Sequence, residues 1–235
     1  MHIAVIVPTL NEAENIEKLI PCINDALKED YTVVVVDDNS KDGTQYTVLG
    51  LAKGYPVKLV ARPSKLGLAS AVLDGIHACQ ADAYIVMDAD FSHPPALLAV
   101  IRKRLETYDL VVASRYIGTG PMEGGGVKKW PLKRRIISRA AITLGQPLTP
   151  IKDVTSGFFG IRSSCLDNVN LTPRGFKIGL ECFVKANWKR YSEIPFLFVD
   201  RQHGSSKLGR GDFLDYFKQI SLLYVYVMVR GRKRK

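Results

Sequence analysis

The chain has 235 residues, 46% of them hydrophobic and 24% charged, which fits one α/β domain or at most two small ones with a real core. A formal net charge of +10 and a pI near 9.4 favour an anionic partner: nucleic acid, a phosphorylated ligand or an anionic membrane face. Cys22, Cys79, Cys165 and Cys182 form no CxxC pair and have no His at zinc-ligand spacing, so they read as reduced thiols of a cytoplasmic protein, filling core positions as small apolar residues. The first strand begins almost at Met1, which argues against a signal peptide. No window reaches the roughly 18–20 apolar residues that span a bilayer, and the nearest candidate, Ile220 to Val229, is too short.

His2 to Pro8 (HIAVIVP) is an apolar run rich in β-branched residues and predicts a buried parallel strand. Asn11 then stands as an N-cap, and Ile16, Leu19, Ile20, Ile23 and Leu27 share one face of a helix reaching about Lys28. The unit repeats: a strand over Tyr31–Val36, a helix over Asp42–Lys53, a strand over Val57–Ala61, a helix over Gly67–Cys79 and a strand over Ala83–Met87. A helix over Pro94–Leu105, opened by two prolines, and a strand over Leu110–Ser114 follow. Alternating β and α with short links predicts a parallel, doubly wound sheet. Gly118 to Gly126 (GTGPMEGGG) reads as a mobile loop, and Lys128 to Arg139 is strongly basic. Helices over about Leu132–Leu144, Phe176–Asn187 and Asp212–Val229 are expected, with strands over Gly157–Arg162 and Ser192–Val199, before the basic end RGRKRK.

Ligands of an open parallel sheet bind at the carboxyl ends of its strands. Four such ends carry polar chemistry: Pro8 to Glu12, Asp37 to Ser40, Asp88 to Ser92, and Ser114 with Arg115. In Asp88-Ala89-Asp90 two carboxylates one residue apart can approach one Mg²⁺ or Mn²⁺ ion, which also takes phosphate oxygens; the alternative is an acidic turn capping the next helix. Asp37 and Asp38 either accept hydrogen bonds from a base or ribose, or shape an Asx-type loop before the helix. His93, next to Pro94, reads as a helix-entry or supporting residue rather than a metal ligand. There is no GxGxxG after the first strand and no GxxxxGK[ST], which argues against a dehydrogenase or a P-loop ATPase.

The segments VPTLNEAENI, VVVDDNSKDGT, KLGLASAVLDGI, VMDADFSHPP and SRY resemble glycosyltransferase family 2, whose fold is GT-A. DVTSGFFGIR, GFKIGLE and RQHGSSKL resemble its dolichyl-phosphate (polyprenyl-phosphate) mannose synthase branch, so that the likeness covers about residues 3–220. It implies a GT-A-like, mostly parallel sheet with helices on both faces, and metal-dependent, inverting transfer of mannose from GDP-mannose to dolichyl or another polyprenyl phosphate. Pro8, Leu10, Glu12, Val36 and Asp38 would contact the nucleotide. Asp88, Ala89 and Asp90 would meet diphosphate, sugar and the Mg²⁺ or Mn²⁺ ion. Ser92 stands where some relatives place a Gln as metal ligand. Arg115, Arg134, Arg201 and Lys207 would hold phosphates of donor or acceptor, with Lys177 a further candidate. The catalytic set is then Asp88, Asp90, Arg115, Arg201 and Lys207. An acceptor phosphate is already anionic at neutral pH and needs no strong general base to attack the sugar.

Residues 1–211 would form the catalytic domain and 212–235 an amphipathic helix with a basic tail. That helix either rests on anionic lipid or packs on the sheet with a solubilising tail, and a separate membrane subunit is a third option. The expected location is the cytoplasm, peripheral at the cytoplasmic face of a membrane. Rival readings are a glucosyl transferase acting on polyprenyl phosphate, a sugar-1-phosphate nucleotidyltransferase, and a basic nucleic-acid-binding module; no nucleic-acid-binding pattern is found.

Overall fold

The computed structural model describes residues 1–118, 126–127, 132–172, 177–198 and 210–230. Its first half is a run of β/α units: β1 (Ile3–Thr9), α1 (Ala13–Leu27), β2 (Tyr31–Asp37), α2 (Thr44–Leu51), β3 (Val57–Ala61), α3 (Leu68–Ala78), β4 (Ala83–Val86), α4 (Leu97–Leu105) and β5 (Leu110–Ser114). There follow β6 (Gly126–Val127), α5 (Leu132–Gly145), β7 (Phe159–Arg162), α6 (Ile178–Lys185), β8 (Tyr191–Pro195), β9 (Leu197–Phe198) and α7 (Arg210–Arg230). The seven-stranded sheet has the order β3-β2-β1-β4-β7-β5-β8, and β6 pairs with β9 apart from it.

The apolar runs of β1 and β2 have a direct cause. Ile3, Val5 and Val7 of β1, with Val33 and Val35 of β2, pack under the apolar faces of α1 and α4. Ala4 and Ile6, with Val34 and Val36, pack on the other face against α3 and α6. Both faces of the sheet are covered, so successive residues must all be apolar, as in other buried parallel strands. Gly75 of α3 lets that helix lie directly on the sheet, because a Cβ there would sit 2.6 Å from Ile6 Cγ2.

The expected parallel sheet is confirmed in the main, with one inversion. β7 runs antiparallel to both β4 and β5, pairing Ile85 with Gly160 and Val111 with Gly160 in its two registers. α5 lies between β5 and β7, but β7 runs back along β5, so the chain re-enters the sheet at the edge where β5 ends. Other details also shift. The residue capping α1 is Glu12 rather than Asn11, which adopts a left-handed φ of 55°. α2 begins at Thr44, because the Asp42 carboxylate accepts the Thr44 and Ala13 N–H groups ahead of it. α4 begins three residues after Pro94, and the predicted strand over Ser192–Val199 is split between β8 and β9. Gly126, assigned to the glycine loop, starts β6, while 119–125 of that loop lie outside the described residues. Cys165 and Cys182 are buried as expected, their thiols pushed up by burial to about 11 and about 12, but Cys22 is exposed.

α7 closes a third apolar cluster. Tyr216, Ile220 and Leu223 pack with Leu148, Val154, Leu180 and Val184. The Tyr216 and Tyr224 hydroxyls donate to the Ala141 and Leu144 carbonyls of α5, at 2.7 and 2.9 Å. Among the described residues, no helix is long and apolar enough to cross a membrane.

Candidate active site

β1 lies between β2 and β4, so the chain winds away from it on one side and returns on the other. The crevice at such a switch point is where open α/β sheets bind ligands. β4 delivers Asp88-Ala89-Asp90 to it, anchored just before by the Met87 N–H donating to Ile6 O. Asp90 is buried, and its Oδ1 accepts the Ser92 N–H at 3.0 Å. Phe91, between them, has a φ of 60°, a left-handed conformation that a bulky residue adopts only at some cost in energy. The Asp88 side chain is one-third exposed.

His93 sits under this loop, buried, with its ring stacked on Phe158 at 4.9 Å and the edges of Phe196 and Phe198 nearby. Its Nδ1 accepts the Asp88 N–H at 2.9 Å, which places the proton on Nε2, 3.8 Å from Asp88 Oδ2. Burial pushes the His93 pKa down, outweighing Asp88 and Asp90, so the ring is neutral near pH 7. It is a supporting residue, as its place before Pro94 suggested.

Among the described residues no cluster of three or more His, Cys, Asp or Glu side chains forms a self-sufficient metal cage. The site offers two carboxylates and one hydroxyl. Ser92 Oγ is buried with no hydrogen-bond partner among the described residues, beside the two aspartates in the chain. An incomplete set of hard oxygen donors fits Mg²⁺ or Mn²⁺, which bind proteins through one or two carboxylates and complete their shell with water and phosphate.

The positive side of the crevice is built from β5, α6 and the loop before β7. Arg115 makes a bidentate pair with Asp153, Nε to Oδ2 and Nη2 to Oδ1, both at 2.8 Å; Nη2 also donates to Thr155 Oγ1. Asp153 is fully buried. Burial opposes charge on both groups, but their mutual hydrogen bonds prevail, raising the Arg115 pKa and lowering that of Asp153. Lys177, just ahead of α6, donates from Nζ to the Thr155 carbonyl at 2.9 Å. Asp88 and Asp90 favour the charged form of His93, and Arg115 and Lys177 oppose it.

On the far side of β1, Asp37 and Asp38 are both buried. Asp37 orders the loop before α2 by accepting from Ser40 N and Gln45 Nε2, which is the loop-shaping alternative. Asp38 accepts from Arg62 Nη1 and from the Leu66 and Gly67 amides, fixing the turn into α3. Pro8 and Val36 are opposed in the register of β1 and β2, and the Val36 side chain belongs to the core. Ala89 is buried as well. Leu10 is half-buried, and Glu12 Oε2 accepts from Asn15 Nδ2. Arg201 and Lys207 lie outside the described residues, as does the side chain of Arg134 in α5.

Sequence reasoning missed Asp153, Thr155 and Arg62. DVTSG held a signal, an Asp and two hydroxyl residues directly before an apolar strand. Arg62 directly follows β3, at a strand end like the others.

A metal-suited DxD at the switch point of a GT-A-like sheet, opposed by basic residues, defines a class, and the sequence agrees: residues 4–169 match glycosyl transferase family 2, to which the chain belongs. It is 39% identical over 226 residues to the dolichol-phosphate mannosyltransferase of Pyrococcus furiosus, covering 94% of this chain and 63% of that protein. This chain therefore spans less than two thirds of that relative. It is 35% identical to the dolichol-phosphate mannosyltransferase of Saccharomyces cerevisiae, covering 95% of this chain and 87% of the yeast protein. The fold is similar to that of a mannosyltransferase from Pyrobaculum calidifontis, solved in complex with GDP-Man and Mn²⁺, with a TM-score of 0.64 at 20% identity over 100% of this chain and 66% of the other.

Proposed function

We propose that the protein transfers mannose from GDP-mannose to dolichyl or another polyprenyl phosphate. The observation that carries this reading is the DxD loop at the end of β4, whose Ser92 hydroxyl has no hydrogen-bond partner among the described residues and which His93 ties to the segment holding Arg115. Family membership and the names of the 35–39% identical relatives support it. Asp88, Asp90 and Ser92 would hold Mg²⁺ or Mn²⁺, which when bound offsets the charge gathering on a departing diphosphate.

The chain's own residues do the rest. In this reading Pro8, Leu10, Glu12, Val36 and Asp38 line the nucleotide side and Ala89 meets diphosphate and sugar, Val36 and Ala89 through backbone because their side chains are buried. Asp38, already tied to Arg62, Leu66 and Gly67, holds the wall of that side rigid. Lys177 would offset part of the repulsion between donor and acceptor phosphates. Arg115 is held in a fixed place by Asp153 and Thr155 and would meet a phosphate from there. Arg134, Arg201 and Lys207 complete the basic lining in this reading. An acceptor phosphate oxygen attacks the sugar C1 as the C1–O bond to GDP breaks, in one displacement with inversion, and no proton need be removed first. His93 is unsuited to act as a base here, because its Nδ1 is already an acceptor.

We further infer that residues 1–211 form the catalytic unit and that 212–235 face a membrane, at its cytoplasmic surface. The test is product formation from GDP-mannose and dolichyl phosphate with Mn²⁺ or Mg²⁺, and with EDTA. A mannolipid that disappears with EDTA is expected. Asp90→Ala should abolish it while the circular dichroism spectrum is unchanged; full activity in that variant would sink the metal assignment.

A further inference from the structure

The metal-binding loop has no regular structure to hold it. After Val86 the chain leaves the sheet, and Phe91 adopts its left-handed conformation before α4 begins at Leu97. A carboxylate pair can hold a cation only if the backbone between them is fixed. The Asp88 N–H is bound by one group, His93 Nδ1, five residues along the chain. The His93 ring is in turn held from a different part of the molecule: it stacks on Phe158 at an interplanar angle of 16°, and Phe196 and Phe198 approach it edge-on. Phe158 belongs to the loop that carries Asp153 and Thr155, and the Phe198 ring also lies 5.7 Å from the Arg115 guanidinium. Gly157 passes close beside the ring, since a Cβ there would meet His93 Cε1 at 3.5 Å.

We propose that His93 is a positioning residue for the metal-binding carboxylates: Nδ1 fixes the Asp88 backbone, and the ring's seat on Phe158 registers the DxD loop against the loop that holds Arg115 and Lys177. The inference rests on the reading of Asp88 and Asp90 as metal ligands. It assigns two separable jobs to one side chain. The acceptor atom sets the carboxylates, and the aromatic face sets the spacing between the acidic and basic halves of the site. Outer-shell partners of this kind commonly change metal affinity by about 10–100-fold when removed.

The test isolates the first job, that of the acceptor atom, with three substitutions and reads GDP binding by calorimetry, with and without Mn²⁺. His93→Phe keeps the stacked ring and removes the acceptor. His93→Asn places an amide oxygen where Nδ1 stood and removes the ring. His93→Gln carries its oxygen to the Nε2 position instead. In the wild type, Mn²⁺ should tighten GDP binding. His93→Phe should lose about tenfold or more of that tightening, with metal-free GDP affinity and thermal unfolding close to wild type. His93→Asn should regain most of the Mn²⁺ increment, and His93→Gln should not. Retention of the full increment by His93→Phe overturns the proposal, as does a loss in His93→Asn equal to that in His93→Phe. A wild type whose GDP affinity ignores Mn²⁺ and Mg²⁺ overturns instead the metal reading beneath it. Because His93→Phe preserves the shape of the core, its result stands even if His93→Asn proves unstable.

Discussion

Asp153 is fully buried and the Arg115 side chain is 9% exposed, and each holds the other's charge in place with two 2.8 Å bonds. Removing one partner strands the other charge away from water, which costs about 3–5 kcal/mol. Asp153→Ala should therefore lower the urea midpoint sharply, whereas an apolar replacement of both residues should recover much of the loss. The pH dependence has a definite sign. The folded carboxyl of Asp153 titrates below its ordinary value of 3.8, so its contribution is present above that value and is lost as pH falls through the folded pKa. Denaturation measured from pH 7 down to pH 3 checks this. The pair also shows what a chain reveals of itself. Asp88 and Asp90 are legible because they stand one residue apart and end an apolar run. The partner of Arg115 is 38 residues away, with no periodicity connecting them, so the arginine alone reads as a phosphate ligand.

α6 is legible in the sequence as a helix over about Phe176–Asn187, but its closeness to the site is not. Gly179 explains that closeness. A Cβ at this position would lie 2.7 Å from the backbone oxygen of Ser156, so the first turn of α6 is pressed onto the loop carrying Asp153 and Thr155. Backbone cannot retreat as a side-chain tip can. Gly179→Ala should push α6 outward, carrying Lys177 with it, at a stability cost of about 1–3 kcal/mol. Transfer rate should fall even at temperatures where the variant is fully folded; a wild-type rate there would show that this contact does not place Lys177. The last helix packs on α5, α6 and the segment before β7 rather than on the sheet. α7 buries Tyr216, Ile220 and Leu223, and turns Phe217, Leu222, Val225, Met228 and Val229 to solvent, the last two 76% and 79% exposed. Opposite faces of one helix are apolar because one faces the protein and the other is open.

At the scale of the whole molecule, that outward stripe lies next to a chain end rich in Arg and Lys, on a protein of net charge +10. Apolar surface with adjacent positive charge is the composition that favours adsorption to anionic bilayers. Val225→Glu with Met228→Glu should reduce sedimentation with vesicles of anionic lipid while leaving transfer to a short, water-soluble polyprenyl phosphate unchanged. Undiminished partitioning would assign the stripe to another occupant. The sheet itself was largely legible, since buried parallel strands announce themselves as continuous Val and Ile runs. The antiparallel β7 was not, because FFGIR looks the same in either direction and orientation is set by where the chain has come from.

That insertion also governs the order in which the protein can be made. β3, β2, β1 and β4 are neighbours in space and all lie within the first 86 residues, so they can pair as they leave the ribosome. β5 cannot join them, because its two neighbours are β7 and β8, and β7 fills the gap to β4. Until Phe159–Arg162 has been synthesised, Leu110–Ser114 is a strand apolar at four of its five positions, with two open edges. A chain stalled or cut between these segments exposes LVVAS beside a finished half-sheet that also lacks a partner on the same side. Nascent chains of intermediate length are thus the species most open to chaperone capture and aggregation, and the completed protein conceals the segment responsible.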